Sequence, residues 1–123
     1  MAGDALTGLR VLIVEDEALV SMLIEDFLEE LGCEVVGVAS RLEDAMDNAR
    51  TLVLDVAVLD VNLAGRLSYP VAQELRARGV PMVFATGYGT EGLPAELQQV
   101  AVLSKPFRQE QLAKALSDMY ARS

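Results

Sequence analysis

Two hydrophobic periodicities alternate along the chain. Val11-Leu12-Ile13-Val14 is short and apolar throughout, as suits a strand buried on both faces of a parallel sheet. Behind it Val20, Leu23, Ile24, Phe27 and Leu31 form a stripe on a polar background of Glu25, Asp26, Glu29 and Glu30. That stripe predicts an amphipathic helix stopped at Gly32. Val35-Val36-Gly37-Val38-Ala39 predicts a second strand, and Ser40 with Glu43 predicts a capping box for a helix burying Leu42, Ala45, Met46 and Ala49. Val56-Ala57-Val58-Leu59 predicts a third strand running into Asp60. A loop with Gly65 follows, then a helix capped by Ser68, carrying Val71, Ala72 and Leu75 and stopping at Gly79. Pro81 to Thr86 predicts a fourth strand, the glycines at 87, 89 and 92 a loop, and Pro94 the start of a short helix. Val100 to Leu103 predicts the fifth strand, and Phe107, Leu112, Ala115, Leu116 and Met119 line the last helix.

Strand and helix thus alternate, with connections too long for hairpins. The pattern predicts an α/β fold: one doubly wound, five-stranded parallel sheet with right-handed crossovers and helices on both faces. At 123 residues the chain is one domain, expected over 9–123 after a short N-terminal extension at 1–8. With 52% of residues hydrophobic, it can build a core without staples.

Composition then removes whole classes of chemistry. The chain has one cysteine, Cys33, and no histidine, which excludes a disulfide framework, multi-cysteine zinc sites, histidine-ligated metals and Ser-His-Asp or Cys-His catalysis. Ten basic residues face nineteen acidic ones, for a net charge of −9. Such a surface repels nucleic acid and anionic membrane, so neither is an expected partner. No apolar run approaches the roughly 20 residues that cross a bilayer, and Met1 to Gly8 lacks the features of a signal peptide. The expected location is the cytoplasm.

In an open parallel sheet, functional groups collect beyond the carboxyl ends of the strands. Glu15 and Asp16 leave strand one, Asp60 strand three, Thr86 strand four, and Lys105 strand five. Each has an ordinary reading alone: a helix cap for Asp16, a turn residue for Asp60, a surface charge for Lys105. Their convergence does not. Two carboxylates about 4 Å apart repel by roughly 4 kcal/mol at an effective dielectric near 20, about 3 pKa units, so one protonates unless a cation intervenes. The implied cation is Mg²⁺ or a similar hard ion such as Mn²⁺, with the main-chain carbonyl of Asn62 as a further oxygen ligand. A carboxylate beside a divalent ion and a lysine is arranged to attack and hold a phosphoryl group.

These residues together resemble the receiver domain of bacterial two-component response regulators. The resemblance runs from about Leu9 to Tyr120 and rests on Glu15-Asp16, on Asp60 followed by Val61-Asn62, on Thr86, and on Lys105-Pro106-Phe107. It implies the flavodoxin-like strand order 2-1-3-4-5. It also implies that Asp60 accepts a phosphoryl group from a phosphohistidine on a sensor kinase, with Glu15, Asp16, Asp60 and the Asn62 carbonyl holding Mg²⁺. Thr86 then hydrogen-bonds the phosphoryl oxygen, Lys105 pairs with it, and the Lys105-Pro106 peptide is cis. A narrower likeness lies in Phe84-Ala85-Thr86-Gly87-Tyr88-Gly89, preceded by Ser68-Tyr69-Pro70. It resembles a subgroup bearing a Phe-Ala-Thr-Gly loop signature, many of whose members stand alone.

Two departures from the family pattern stand out. Where most receivers carry an aromatic switch residue on strand five, this chain has Val102, and Tyr88 is the expected substitute. After Asp60, Leu63-Ala64-Gly65 replaces the common Met-Pro. Signalling is expected through residues 86–99 and the strand five and last-helix face, by contact with a downstream protein or a second phosphotransfer protein, from a monomer or weak dimer. Two alternatives stay open on sequence alone: a Mg²⁺-dependent nuclease or primase-like acidic site, and an unphosphorylated scaffold of receiver shape.

Overall fold

A computed structural model describes residues 6–87 and 93–121. Five strands, β1 (Arg10–Val14), β2 (Glu34–Ala39), β3 (Val56–Asp60), β4 (Met82–Thr86) and β5 (Ala101–Ser104), form one sheet in the order β2-β1-β3-β4-β5. Every pairing in it is parallel. Among the described residues, four helices cover it: α1 (Ala18–Glu30), α2 (Leu42–Thr51), α3 (Tyr69–Ala77) and α4 (Gln109–Ala121). None of the helices described is long and apolar enough to cross a membrane.

The period-two geometry of a strand divides the core in two. Val11, Ile13, Val56, Val58, Val83 and Ala85 point to one face, where Ile24 and Leu28 of α1 meet Leu112 and Leu116 of α4. Leu12, Val14, Ala57, Leu59, Met82 and Phe84 point to the other, where Ala45 and Ala49 of α2 meet Val71 and Leu75 of α3. The three central strands are therefore apolar at almost every position because each face is covered.

Several local expectations are corrected. The buried line of α1 is Ser21, Ile24 and Leu28, while Leu23 is 48% exposed beside exposed Leu19 and Met22. The helix is rotated relative to the apolar stripe, so part of that stripe faces solvent. The Ser40–Glu43 capping box does not form: Arg41 holds the N-cap position without a side-chain bond, and Glu43 instead pairs with Arg66. Ser68 does occupy the N-cap of α3 but makes no side-chain cap bond. The helix expected from Pro94 is a single 3-10 turn, Ala95–Leu97, anchored by buried Leu97. Ahead of β1, Leu6 is buried in the core on the α1/α4 side, and the Gly8 amide donates to the Gly32 carbonyl at 2.8 Å.

One element was missed altogether. Asn62–Leu63 and Arg66–Leu67 pair antiparallel as a small hairpin between β3 and α3. Its two tip residues, Ala64 (φ 50°) and Gly65 (φ 89°), are both left-handed, the backbone that a two-residue hairpin turn demands. Tyr88, Gly89 and Gly92 lie outside the described residues.

Candidate functional site

The carboxyl ends of β1, β3, β4 and β5 supply the site. β1 delivers Glu15, whose amide donates to the Ala39 carbonyl at 3.0 Å and so extends the β1–β2 ladder by one residue. The Glu15 side chain is buried at 1% exposure, and its Oε2 accepts from the Glu17 amide at 3.1 Å. Asp16 follows on the connecting loop, where its Oδ2 accepts from the Ala64 amide at 3.1 Å. β3 delivers Asp60 between two central neighbours, with its Oδ1 held by the Asn62 amide at 3.1 Å. Carboxylate oxygens of Glu15, Asp16 and Asp60 all lie within 4.8 Å of one another.

Lys105 joins this cluster from β5. Its amide donates to the Thr86 carbonyl at 2.9 Å, and the following bond to Pro106 is cis. From that anchor its Nζ donates to Glu15 Oε1 at 2.5 Å and to Asp60 Oδ2 at 2.8 Å. The ammonium thus bridges two buried acids. Burial pushes the Glu15 carboxyl up, against the lowering effect of the Lys105 ammonium and the Glu17 amide. Burial pulls Lys105 down, but its bonds to Asp60 and Glu15 outweigh this and leave it above its ordinary value. The repulsion expected among the acids is therefore relieved in part by an internal cation, before any metal is considered.

An open cleft of about 560 Å³ lies over the cluster, lined by Asp16, Glu17, Asp60, Asn62, Ala64, Gly65, Gly87 and Lys105. Its donors for a cation are carboxylate oxygens, with no sulfur or imidazole nearby, a set that suits a hard divalent ion. Thr86 ends β4 at 1% exposure. Its neighbour Gly87, and not Thr86 itself, lines the cleft. Val102 is half-buried on β5 in register with Phe84 and packs toward the α2/α3 core. Of the residues singled out in the sequence, Glu15, Asp16, Asp60 and Lys105 meet directly, Asn62 lines the same cleft, and Tyr88 falls outside the described residues.

Sequence reasoning missed Ser68 as part of this region. It is fully buried, and its hydroxyl donates to the Asp60 main-chain carbonyl at 2.5 Å. A serine just before a helix reads as a cap, and only the fold of the 62–67 hairpin turns it back toward β3.

A family model of the response regulator receiver domain matches residues 11–117. Among curated proteins, the chain is 32% identical over 117 residues to the transcriptional regulatory protein PdtaR of Mycobacterium tuberculosis, covering 92% of this chain and 57% of that protein. The chain therefore spans little more than half of that relative. Among solved structures, SdrG from Sphingomonas melonis Fr1 is 43% identical with a TM-score of 0.80, covering 94% of this chain and 97% of SdrG. The receiver domain of the sensor histidine kinase PA1611 from Pseudomonas aeruginosa, solved with a magnesium ion coordinated in its active-site cleft, is 25% identical with a TM-score of 0.80, covering 94% of this chain and 99% of that one. Sequence match, sheet order and acidic cleft agree, and the chain belongs to the response regulator receiver domain family.

Proposed function

We propose that Asp60 is the phosphoacceptor of a Mg²⁺-dependent receiver in a two-component pathway. One observation carries the reading: the Lys105 ammonium bonded to both Asp60 and Glu15, with the Asp16 carboxylate within 4.8 Å of the cluster. In this reading an Asp60 carboxylate oxygen attacks the phosphorus of a kinase phosphohistidine. The phosphorus–nitrogen bond breaks, and its electron pair leaves with the imidazole. Lys105 follows the negative charge from Asp60 onto the new phosphoryl oxygens, and the Thr86 hydroxyl donates to one of them. Glu15, Asp16, Asp60 and the Asn62 carbonyl are the groups that would hold Mg²⁺, which when bound neutralises charge on the phosphoryl oxygens. Manganese would fill the same set of oxygens.

The phosphoryl group adds close to two negative charges at one buried point. Thr86 and Lys105 are tied to each other through the Thr86 carbonyl, so charge arriving at Asp60 acts on the ends of β4 and β5 together. The output in this reading is the 86–99 segment and the β5/α4 face, read by a protein target or a second phosphotransfer protein. Tyr88 takes the part of the strand-five aromatic that Val102 does not supply. The Phe84 to Gly89 run supports assigning the chain to the subgroup with that loop signature. We assign it to the cytoplasm, as a monomer or weak dimer, spanning 9–123 as one receiver unit.

The nuclease alternative has no support once Lys105 is bonded to the acceptor acid and the family is known. Intact mass after incubation with a small-molecule phosphodonor and Mg²⁺ tests the proposal. The parent chain gains one phosphoryl group, and Asp60→Asn gains none. No gain by the parent leaves the unphosphorylated scaffold as the reading.

A further inference from the structure

We propose that the 62–67 hairpin is a brace for the acidic cluster, and that the main-chain amide of Ala64 is the positioning group that presents Asp16 to a divalent cation. The inference rests on the metal assignment made under Proposed function.

The brace is fastened at three places. At its base, the buried Ser68 hydroxyl donates to the Asp60 carbonyl at 2.5 Å, and the Ser68 amide donates to the Val61 carbonyl at 2.8 Å. At its flank, Arg66 pairs with Glu43 of α2. At its tip, the Asn62 side-chain oxygen accepts from the Gly65 amide at 2.7 Å, and the Ala64 amide donates to Asp16 Oδ2 at 3.1 Å. The chain leaving Asp60 therefore doubles back at once and takes hold of a carboxylate that belongs to a different strand end. Asp60 and Asp16 become members of one rigid unit.

The choice of donor matters. Asp16 sits on the loop between β1 and α1, where a carboxylate samples several rotamers unless something fixes it. A main-chain amide fixes one oxygen without neutralising the charge, whereas a lysine at the same place would compete with the cation for it. Presenting that amide requires left-handed backbone at the tip, and Ala64 adopts it at φ 50° despite its Cβ. Asn62 has two separable jobs in this account. Its side chain closes the turn, and its main-chain carbonyl is the cation ligand proposed above.

Calorimetric titration of the whole chain with MgCl2 tests the brace, with unfolding midpoints recorded in chelator as a control on folding. Ala64→Pro removes the amide donor and forbids the left-handed backbone. Its Mg²⁺ dissociation constant should rise about tenfold or more, as for loss of other outer groups that orient a metal ligand. Asn62→Ala, which keeps the main-chain carbonyl, should weaken binding in the same direction, while Ala64→Gly, which keeps the amide, should retain the parent affinity. Should Ala64→Pro fail to fold, Asn62→Ala and Arg66→Gln carry the test. Parent-like affinity in the folded brace variants overturns the brace and leaves the metal assignment standing. A parent chain that binds no Mg²⁺ overturns both.

Discussion

Replacing Lys105 with methionine leaves two acids of the cluster without their internal cation. Glu15 is 1% and Asp60 8% exposed, and their carboxylate oxygens lie within 4.8 Å. At that separation and an effective dielectric of 20, their repulsion is about 3.5 kcal/mol. The variant should therefore lose about 3 kcal/mol of stability at neutral pH in chelator, or roughly 10 °C in Tm. The pH dependence follows from the direction of the Glu15 shift. Its folded carboxyl already lies above the ordinary value of 4.5, so its stabilising contribution is complete below that value and is lost as pH rises through the folded pKa. Without the lysine the folded pKa climbs further, and the loss on raising pH becomes steeper. Lys105 itself is charged in both states over this range, because its shift is upward from 10.5. The gap between parent and variant should thus be small near pH 5 and largest near pH 8. Urea unfolding followed by far-ultraviolet circular dichroism at a series of pH values measures it. A gap at pH 8 within about 0.5 kcal/mol, the scatter of an uninvolved surface change, or a gap that widens toward acid, would refute the view that Lys105 holds these acids together.

Two further outcomes check the packing on which the site stands, besides the Asp60→Asn mass measurement and the Mg²⁺ titrations. Leu28→Ala, at a fully buried position of α1, should cost about 2–5 kcal/mol in urea unfolding, whereas Leu19→Ala, at 82% exposure, should stay within about 0.5 kcal/mol of the parent. Ser68→Ala removes the hydroxyl that donates to the Asp60 carbonyl and should cost about 1–3 kcal/mol, since the lost partner served a buried acceptor. Parent-like stability for Ser68→Ala would mean that the hairpin base is held by its main chain alone.

The sheet was legible because its signal is redundant. Val11 to Val14, Val56 to Leu59 and Met82 to Thr86 are each buried on both faces, and burial of that kind writes an unbroken apolar run into the sequence. Helix faces were less legible. In α1 the apolar residues cover more of the circumference than the core can take, so Ile24 and Leu28 are buried while Leu19, Met22 and Leu23 face solvent. Periodicity reports how much apolar surface a helix carries, but the angle at which it lies on the sheet is set by neighbours distant in sequence. The hairpin was illegible for a similar reason. Its paired segments are two residues each, too short for any period, and Ala64 at its tip gives no composition signal for left-handed backbone.

The acids and the lysine were legible for a different reason: each ends a strand, and a parallel sheet carries its strand ends to one rim regardless of what lies between them. Topology alone therefore predicts that Glu15, Asp16, Asp60 and Lys105 meet. It does not predict how their charges are balanced. Three converging acids need a cation among them, and their oxygen donors point to a metal; in the fold Lys105 already supplies one positive charge, at 2.5 Å from Glu15 and 2.8 Å from Asp60. That distinction changes the energetics of the proposed chemistry. With Glu15 and Asp60 already bridged by Lys105, a divalent cation entering the cluster competes with the ammonium for the same carboxylate oxygens. Under the proposed chemistry a phosphoryl group on Asp60 draws the Lys105 ammonium toward its new oxygens, and that shift is first felt at the ends of β4 and β5, which the Lys105 amide ties together through the Thr86 carbonyl.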